Sequence, residues 1–243
     1  MDASLSLGLK LALLGAGVGL LWDLIAMAIV QGDVRAVARC EACGARVGWT
    51  ARWRACPVCG HRPRRPWVLA GLLAGVSALL PWIGRWPVLA LWPVTACFML
   101  HAVIDWDARL VYIPLVAVSL LLCGVIGVGM HGWARTAWGL VGGAVLMLLL
   151  YILGMGFVRW RGLGDEPGLG FGDVWLAALV GVVLGWPGVI AGLFLGAMLA
   201  GVYALGLVLY HAVRHRRWIG EHPIPYGPFL LLGAWLLLLG KGG

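Results

Sequence analysis

Apolar stretches of roughly twenty residues recur along this chain, separated by short polar breaks, and that repetition leaves few folds open. A helix that crosses the hydrocarbon layer needs about 20 apolar residues. The 243 residues are 62% hydrophobic and only 12% charged, with a mean hydropathy of +0.96. Soluble domains carry about a quarter charged residues, so an ordinary soluble domain is excluded. The pattern predicts an all-α polytopic membrane protein with about eight transmembrane helices, approximately at 7–29, 67–84, 86–106, 112–130, 136–157, 173–189, 190–212 and 226–240. Three regions follow: a first transmembrane helix over 1–29, a polar insert over 30–66 and a transmembrane core over 67–243.

The first apolar stretch lacks a positive flank before it and a small-residue cleavage signal after it, so a retained helix is expected rather than a signal peptide. The net charge of +8 would suggest nucleic acid in a soluble protein. Here it has another explanation, because lysine and arginine gather on the cytoplasmic side of membrane proteins. With the insert inside, Arg35, Arg39, Arg46, Arg52, Arg54, Arg62, Arg64 and Arg65 are cytoplasmic, and the alternation of spans adds Arg109, Arg159, Arg161, Arg214, Arg216 and Arg217. Lys10, Arg85, Arg135 and Lys241 fall outside, a split of 14 against 4. Both termini are therefore expected outside, with a lipid bilayer and no nucleic acid as partner. Tryptophans such as Trp67, Trp82, Trp86, Trp106, Trp133, Trp186 and Trp218 flank the spans, as an interfacial aromatic belt does.

Within the insert, Cys40, Cys43, Cys56 and Cys59 form two CxxC pairs with twelve residues between them, each followed by a glycine. This is zinc ribbon or knuckle spacing. The alternatives are two disulfides or four free thiols, and a cytoplasmic site disfavours the disulfides. Four thiolates close a tetrahedral shell and leave no position for substrate, so a structural zinc is expected. An insert this small also needs a staple to fold. His61 is then a surface residue, and Cys97 and Cys123 are small core residues within spans.

Two aspartates sit at the ends of apolar stretches, Asp107 in VIDWDARLVYIP and Asp173 in GLGFGDVWL. A carboxylate near the hydrocarbon is costly and is a functional candidate by default. Taken singly, each has a plain reading: Asp173 as a helix cap after a glycine-rich loop, Asp107 as an interfacial carboxylate beside Arg109. Together they say more, because the 65 residues between them hold two spans and return Asp173 to the face that holds Asp107. Two adjacent carboxylates share a proton, which allows one to activate water while the other protonates a leaving amine. Asp23, deep in the first span, is a further ionisable candidate, with His101 as a possible partner.

These motifs resemble the type IV prepilin peptidases, membrane aspartyl proteases of the GxGD type. The resemblance is carried by DARLVYIP with Pro114 seven residues after Asp107, by GLGFGDV, by IPYGPFL at 224–230 and by the double CxxC insert after the first span. It implies an endopeptidase of the bacterial inner membrane that removes the basic leader from prepilins or pseudopilins at the cytoplasmic face. It also implies possible methylation of the new N-terminus with S-adenosylmethionine. Asp107 and Asp173 map to the catalytic pair, with Asp105 as the local competitor, while Pro114, Gly170, Gly172, Pro225, Gly227 and Pro228 shape the site.

The chain departs from the family pattern at Leu115, where Asp or Asn is common, at Trp175, where lysine is common, and before the cysteines, where an asparagine- and arginine-containing segment is usual. A proton- or cation-coupled transporter with ions held at broken helices is the competing class, as is an inactive assembly subunit of a secretion or pilus apparatus. The glycine-rich run from Glu166 to Gly170 lacks the lysine and hydroxyl residue of a phosphate-binding loop.

Overall fold

The computed structural model describes residues 3–32, 39–40, 42–48, 53–83, 86–162, 170–215 and 225–240. Eight helices are present among them: α1 (Ala3–Gln31), α2 (Arg65–Ile83), α3 (Val88–Ala108), α4 (Ile113–His131), α5 (Trp133–Arg161), α6 (Gly172–Leu184), α7 (Gly188–His215) and α8 (Gly227–Leu239). The chain divides into two compact units, Met1–Ala108 and Arg109–Gly243. Six helices, all except α6 and α8, are long and apolar enough to cross a membrane. The expected all-α membrane architecture is therefore present, and each unit has its own packing logic.

In the first unit, α1 and α2 run antiparallel along a seam of small residues. A Cβ on Gly19 would collide with the Ala70 backbone, one on Gly15 with Leu73 and Ser77, and one on Gly8 with the Trp82 ring. Gly15 and Gly19 form a GxxxG pair, the spacing that lets two membrane helices approach backbone to backbone. Continuing the same stripe by fours brings Asp23 and then Met27 against the first residue of α2. The third helix is tied on by polar groups at its apolar surface: Trp22 Nε1 donates to the Ala96 carbonyl at 2.7 Å, and Trp92 Nε1 to Ser77 Oγ at 3.0 Å.

The second unit is built around α6. Ten of its thirteen residues are buried, and α4, α5, α7 and α8 all pack on it. A helix that is apolar on every side must be enclosed, and here the enclosure is protein. At ~1.5 Å per residue its 13 residues span about 20 Å, short of the ~30 Å hydrocarbon layer. Close approach again uses small residues: Gly139 and Gly181 abut through their backbones, as do Gly143 and Ala177, and Gly127 and Val182. On the opposite side, Leu121, Val125, Leu153, Phe194 and Val202 are exposed, which is where lipid would lie.

The expected spans at 173–189 and 190–212 differ from the helices observed. The break comes earlier, at Gly185, whose φ of +65° suits glycine. Its N–H caps α6 by donating to the Gly181 carbonyl at 2.9 Å, and α7 begins at Gly188 just after Pro187. The turn is anchored to α5 by Trp186 N, which donates to the Arg135 carbonyl at 2.9 Å, while His131 Nε2 at the end of α4 pairs with the Val183 carbonyl of α6 at 3.0 Å.

Because Gly181 has no room for a methyl group, Gly181→Ala is expected to destabilise the solubilised protein by about 1–3 kcal/mol through overpacking. Gly124, with open space around its Cβ position, serves as the control: Gly124→Ala should leave the thermal midpoint unchanged or slightly raised. Equal losses for the two variants would show that the α5–α6 contact does not limit stability.

Candidate aspartate and metal sites

Asp107 lies in the last turn of α3, next to the point where the helix stops. Ala108 ends α3, and Arg109 adopts a φ of +52°, a left-handed conformation that an α-helix cannot continue. Helix α4 begins after Tyr112, which sits at its N-cap, and Pro114 occupies the first turn. Proline is suited to that position because its missing N–H would have no intrahelical partner there. Pro114 thus serves to start α4, and DARLVYIP reads as a helix stop, a short extended link and a helix start.

The Asp107 carboxylate has a partner that the sequence did not single out. Arg65, the first residue of α2, donates from Nη2 to Asp107 Oδ2. The same guanidinium sits with Nε 3.1 Å from Asp23 Oδ1, and Nη1 contacts Met27 Sδ at 3.2 Å. Asp23 is fully buried, whereas the side chains of Arg65 and Asp107 are each 28% exposed. An unpaired carboxylate at the Asp23 position would cost on the order of several kcal/mol, and breaking such a buried pair costs about 3–5 kcal/mol. Asp23 is thereby explained as the counter-ion of Arg65. Asp105, two residues before Asp107 and so on the opposite side of α3, is buried.

Asp173 belongs to the second unit. It lies in the first turn of α6, after Phe171 at the N-cap, so it is not itself the cap residue. Its side chain nevertheless reaches back, with Oδ2 accepting the Gly170 N–H at 3.1 Å, while Asp173 N donates to the Gly170 carbonyl at 3.0 Å. This reciprocal pair resembles the reach-back half of a capping box, and the helix N-terminus favours the negative charge. Only 7% of Asp173 is exposed. Gly172 is required because a Cβ there would strike the Val111 side chain.

Of the IPYGPFL segment, Ile224 lies outside the described residues, and the rest comes to the same place. Tyr226 is the N-cap of α8, with Pro228 in the first turn and Gly227 buried. Burial pushes the Tyr226 phenol up, and the Asp173 charge adds to that shift. Tyr226 was not among the expected site residues. Pro225 is half-buried just before it, and Phe229 rests against Tyr203 with ring centroids 5.0 Å apart. Gly170, Gly172, Asp173, Tyr226, Gly227 and Pro228 therefore gather near the adjoining ends of α6 and α8. Glu166, Pro167, Gly168 and Leu169 lie outside the described residues.

The four cysteines converge. Cys40 N donates to the Ala45 carbonyl and Gly44 N to the Cys40 carbonyl, each at 2.9 Å, and Cys56 with His61 and Gly60 repeats the pattern at the same distances. Gly44 and Gly60 hold φ of +69° and +72°, which explains the glycine after each pair. The Sγ atoms of Cys40 and Cys59 are 3.6 Å apart, those of Cys43 and Cys56 are 3.8 Å apart, and all four lie within 4.8 Å of one another. A disulfide requires about 2.05 Å. Four thiolates around a zinc ion at about 2.3 Å would have tetrahedral edges of ~3.8 Å. The cluster has the shape for a metal ion, and its four sulfurs leave no open position on a tetrahedral ion. His61 is exposed, as expected.

Residues 92–205 match the family described as the type IV leader peptidase family. The resemblance is to the type IV leader peptidases. Among curated proteins, a prepilin leader peptidase/N-methyltransferase of Aeromonas salmonicida is 29% identical over 172 residues, 71% of this chain and 56% of that protein. Proteins of the same name from Stutzerimonas stutzeri and Pseudomonas aeruginosa are 28% and 27% identical, covering 79% and 76% of this chain and 65% and 70% of theirs. The chain thus spans little more than half the length of the Aeromonas relative. No solved structure matches it significantly. The family match encloses Asp107, Pro114, Gly170, Gly172 and Asp173, and leaves Asp23, the four cysteines, Arg65 and Tyr226 outside its limits.

Backbone N–H groups of Cys43 and Ala42 pull the Cys40 thiol down to about 6. The His61 N–H also favours the Cys59 thiolate, but the Cys43 thiol, desolvation, and the Cys40 and Cys56 thiols outweigh it and push Cys59 up to about 12. The thiolate is the reacting species. In metal-free protein whose knuckle stays folded, iodoacetamide at pH 7 is therefore expected to label Cys40 ahead of Cys59, although Cys59 is the more exposed. Bound metal should protect all four. Mass spectrometry of the alkylated peptides checks the order, and faster labelling of Cys59 would contradict it.

Proposed function

We propose that this chain is a membrane aspartyl endopeptidase that removes the basic leader from type IV prepilins or pseudopilins at the cytoplasmic face of the bacterial inner membrane. The observation that carries the proposal is the match to the leader peptidase family over a segment that contains both Asp107 and Asp173. Each aspartate lies at a helix end, where a carboxylate can be reached by water more readily than within a span. The reaction assigned to them needs no catalytic metal. One carboxylate takes a proton from water as its oxygen bonds to the scissile carbonyl carbon, and the other gives a proton to the leaving amine as the C–N bond breaks. The pair would titrate jointly, so neither residue owns a separate protonation step.

We assign residues 67–243 as the protease core, 1–29 as the first membrane helix and 30–66 as a cytoplasmic metal-binding insert. Zinc is the metal proposed, because four thiolates and tetrahedral spacing suit it and a closed shell makes it structural. The 14-to-4 distribution of basic residues supports the orientation, with both termini outside. Pro114, Gly170, Gly172, Pro225, Gly227 and Pro228 act by setting the helix starts around the aspartates.

Asp107→Asn and Asp173→Asn should each reduce leader cleavage by at least about 10²-fold, the scale of a positioned acid–base group, with membrane insertion unchanged. Asp105→Asn should retain substantial activity, since Asp105 lies on the side of α3 opposite Asp107 and its Arg65 partner. A prepilin cleavage assay on purified protein in lipid checks all three. Wild-type cleavage by Asp173→Asn would defeat the acid–base assignment.

The names of the curated relatives include N-methyltransferase, and we propose S-adenosylmethionine as a second cofactor on that likeness. Its methyl group would pass to the freshly exposed N-terminal amine. Incubation with prepilin and methyl-labelled S-adenosylmethionine is expected to label the cleaved product. Complete cleavage without label, in conditions where a bifunctional relative does label, would leave a peptidase only.

A further inference from the structure

We infer that Arg65 is a positioning residue for the Asp107 carboxylate, and that the buried Asp23 exists to hold Arg65 there. The inference rests on the catalytic reading of Asp107. It is carried by the way each nitrogen of one guanidinium is engaged: Nε faces Asp23 Oδ1 at 3.1 Å, Nη1 faces Met27 Sδ at 3.2 Å and Nη2 donates to Asp107 Oδ2. Two of those partners come from α1 and one from α3, while Arg65 itself opens α2. A guanidinium is planar and rigid, so fixing two of its nitrogens fixes the direction of the third.

Surface ion pairs are ordinarily weak because both long side chains stay mobile. This one is different on the Asp23 side. Asp23 has no exposed surface, and it belongs to the stripe of α1 that begins with Gly15 and Gly19, where the two helix backbones are in contact. Its position is therefore set by close packing. Arg65 inherits that rigidity and passes it to Asp107, whose side chain is partly exposed and would otherwise swing freely at a fraying helix end. A charge-assisted hydrogen bond from a clamped donor selects one orientation of the carboxylate. Acid–base chemistry gains from that, since small misplacements of a reacting group cost rate steeply.

A structural role alone would make the Asp23–Arg65 pair a staple between α1 and α2, with the contact to Asp107 incidental. The two roles separate in a set of variants assayed for leader cleavage and for thermal stability of the full-length protein in lipid. Arg65→Gln leaves Asp23 without its cation and should lower both kcat and the melting temperature. Asp23→Asn/Arg65→Gln replaces the ion pair with two amides and should recover much of the stability. Its kcat should remain at least about tenfold below wild type, with KM within about twofold, because the lost factor belongs to an acid–base group that supplies roughly 10²–10⁴-fold.

Arg65→Lys keeps the charge without the planar fork and should fall between Arg65→Gln and wild type in kcat. Wild-type kcat in the double variant, or in Arg65→Gln, would overturn the positioning role while leaving the peptidase assignment in place. Wild-type cleavage by Asp107→Asn in the same series would instead overturn the peptidase assignment and this inference with it.

Discussion

A carboxylate cannot rest alone in an apolar environment, and the handling of that cost organises both units of this protein. Three of its aspartates show three solutions. Asp23, within a membrane helix, is neutralised by a cation from the neighbouring helix. Asp107 is placed at a helix end, where the same cation reaches it and its side chain is partly exposed. Asp173 is buried but opens α6, so backbone dipoles and the Gly170 N–H stabilise its charge. Moving any of these residues by one position along its helix would rotate it by about 100° and strand it against apolar side chains or lipid.

Small residues supply the other half of the design. Water gives no hydrophobic push between helices inside a membrane, so association depends on packing and polar contacts. The glycine stripe on α1 allows α2 to come close enough for an arginine to span from one to the other. The Gly139–Gly181 and Gly143–Ala177 approaches do the same for α5 and α6. Helix α6 is thereby enclosed, and the position of Asp173 follows from the packing of a short helix wrapped by its neighbours.

The parts of this structure legible in the sequence are those specified by local pattern. Eight helices could be counted because charged residues, or glycine and proline between α6 and α7, interrupt the apolar runs, and the cysteine cluster could be read because CxxC spacing and a following glycine define each knuckle within a few residues. The short length of α6 was not legible. A helix wrapped by protein and a helix wrapped by lipid select the same apolar side chains, and only the burial of Val174 and of Leu176 through Val183 tells them apart. Arg65 was hidden for a different reason: it is one of eight arginines in the insert and its flank, and both of its carboxylate partners are far away in sequence. Tyr226 was hidden likewise, since nothing near it in the chain points to Asp173.

The four-cysteine insert gains a role from its connection to α2. Only five residues separate Cys59 from Arg65, and Trp67 in the first turn of α2 donates from Nε1 to the Trp53 carbonyl of the insert at 3.2 Å. A small polar insert does not fold on its own hydrophobic core, so ligation of the four sulfurs is what would order it. The ordered knuckle then bears on the very turn of α2 that carries Arg65. A metal held by the four sulfurs would thus bear on the Asp107 carboxylate through one short covalent link and one hydrogen bond, and the fixed start of α2 is where the insert and Asp107 meet.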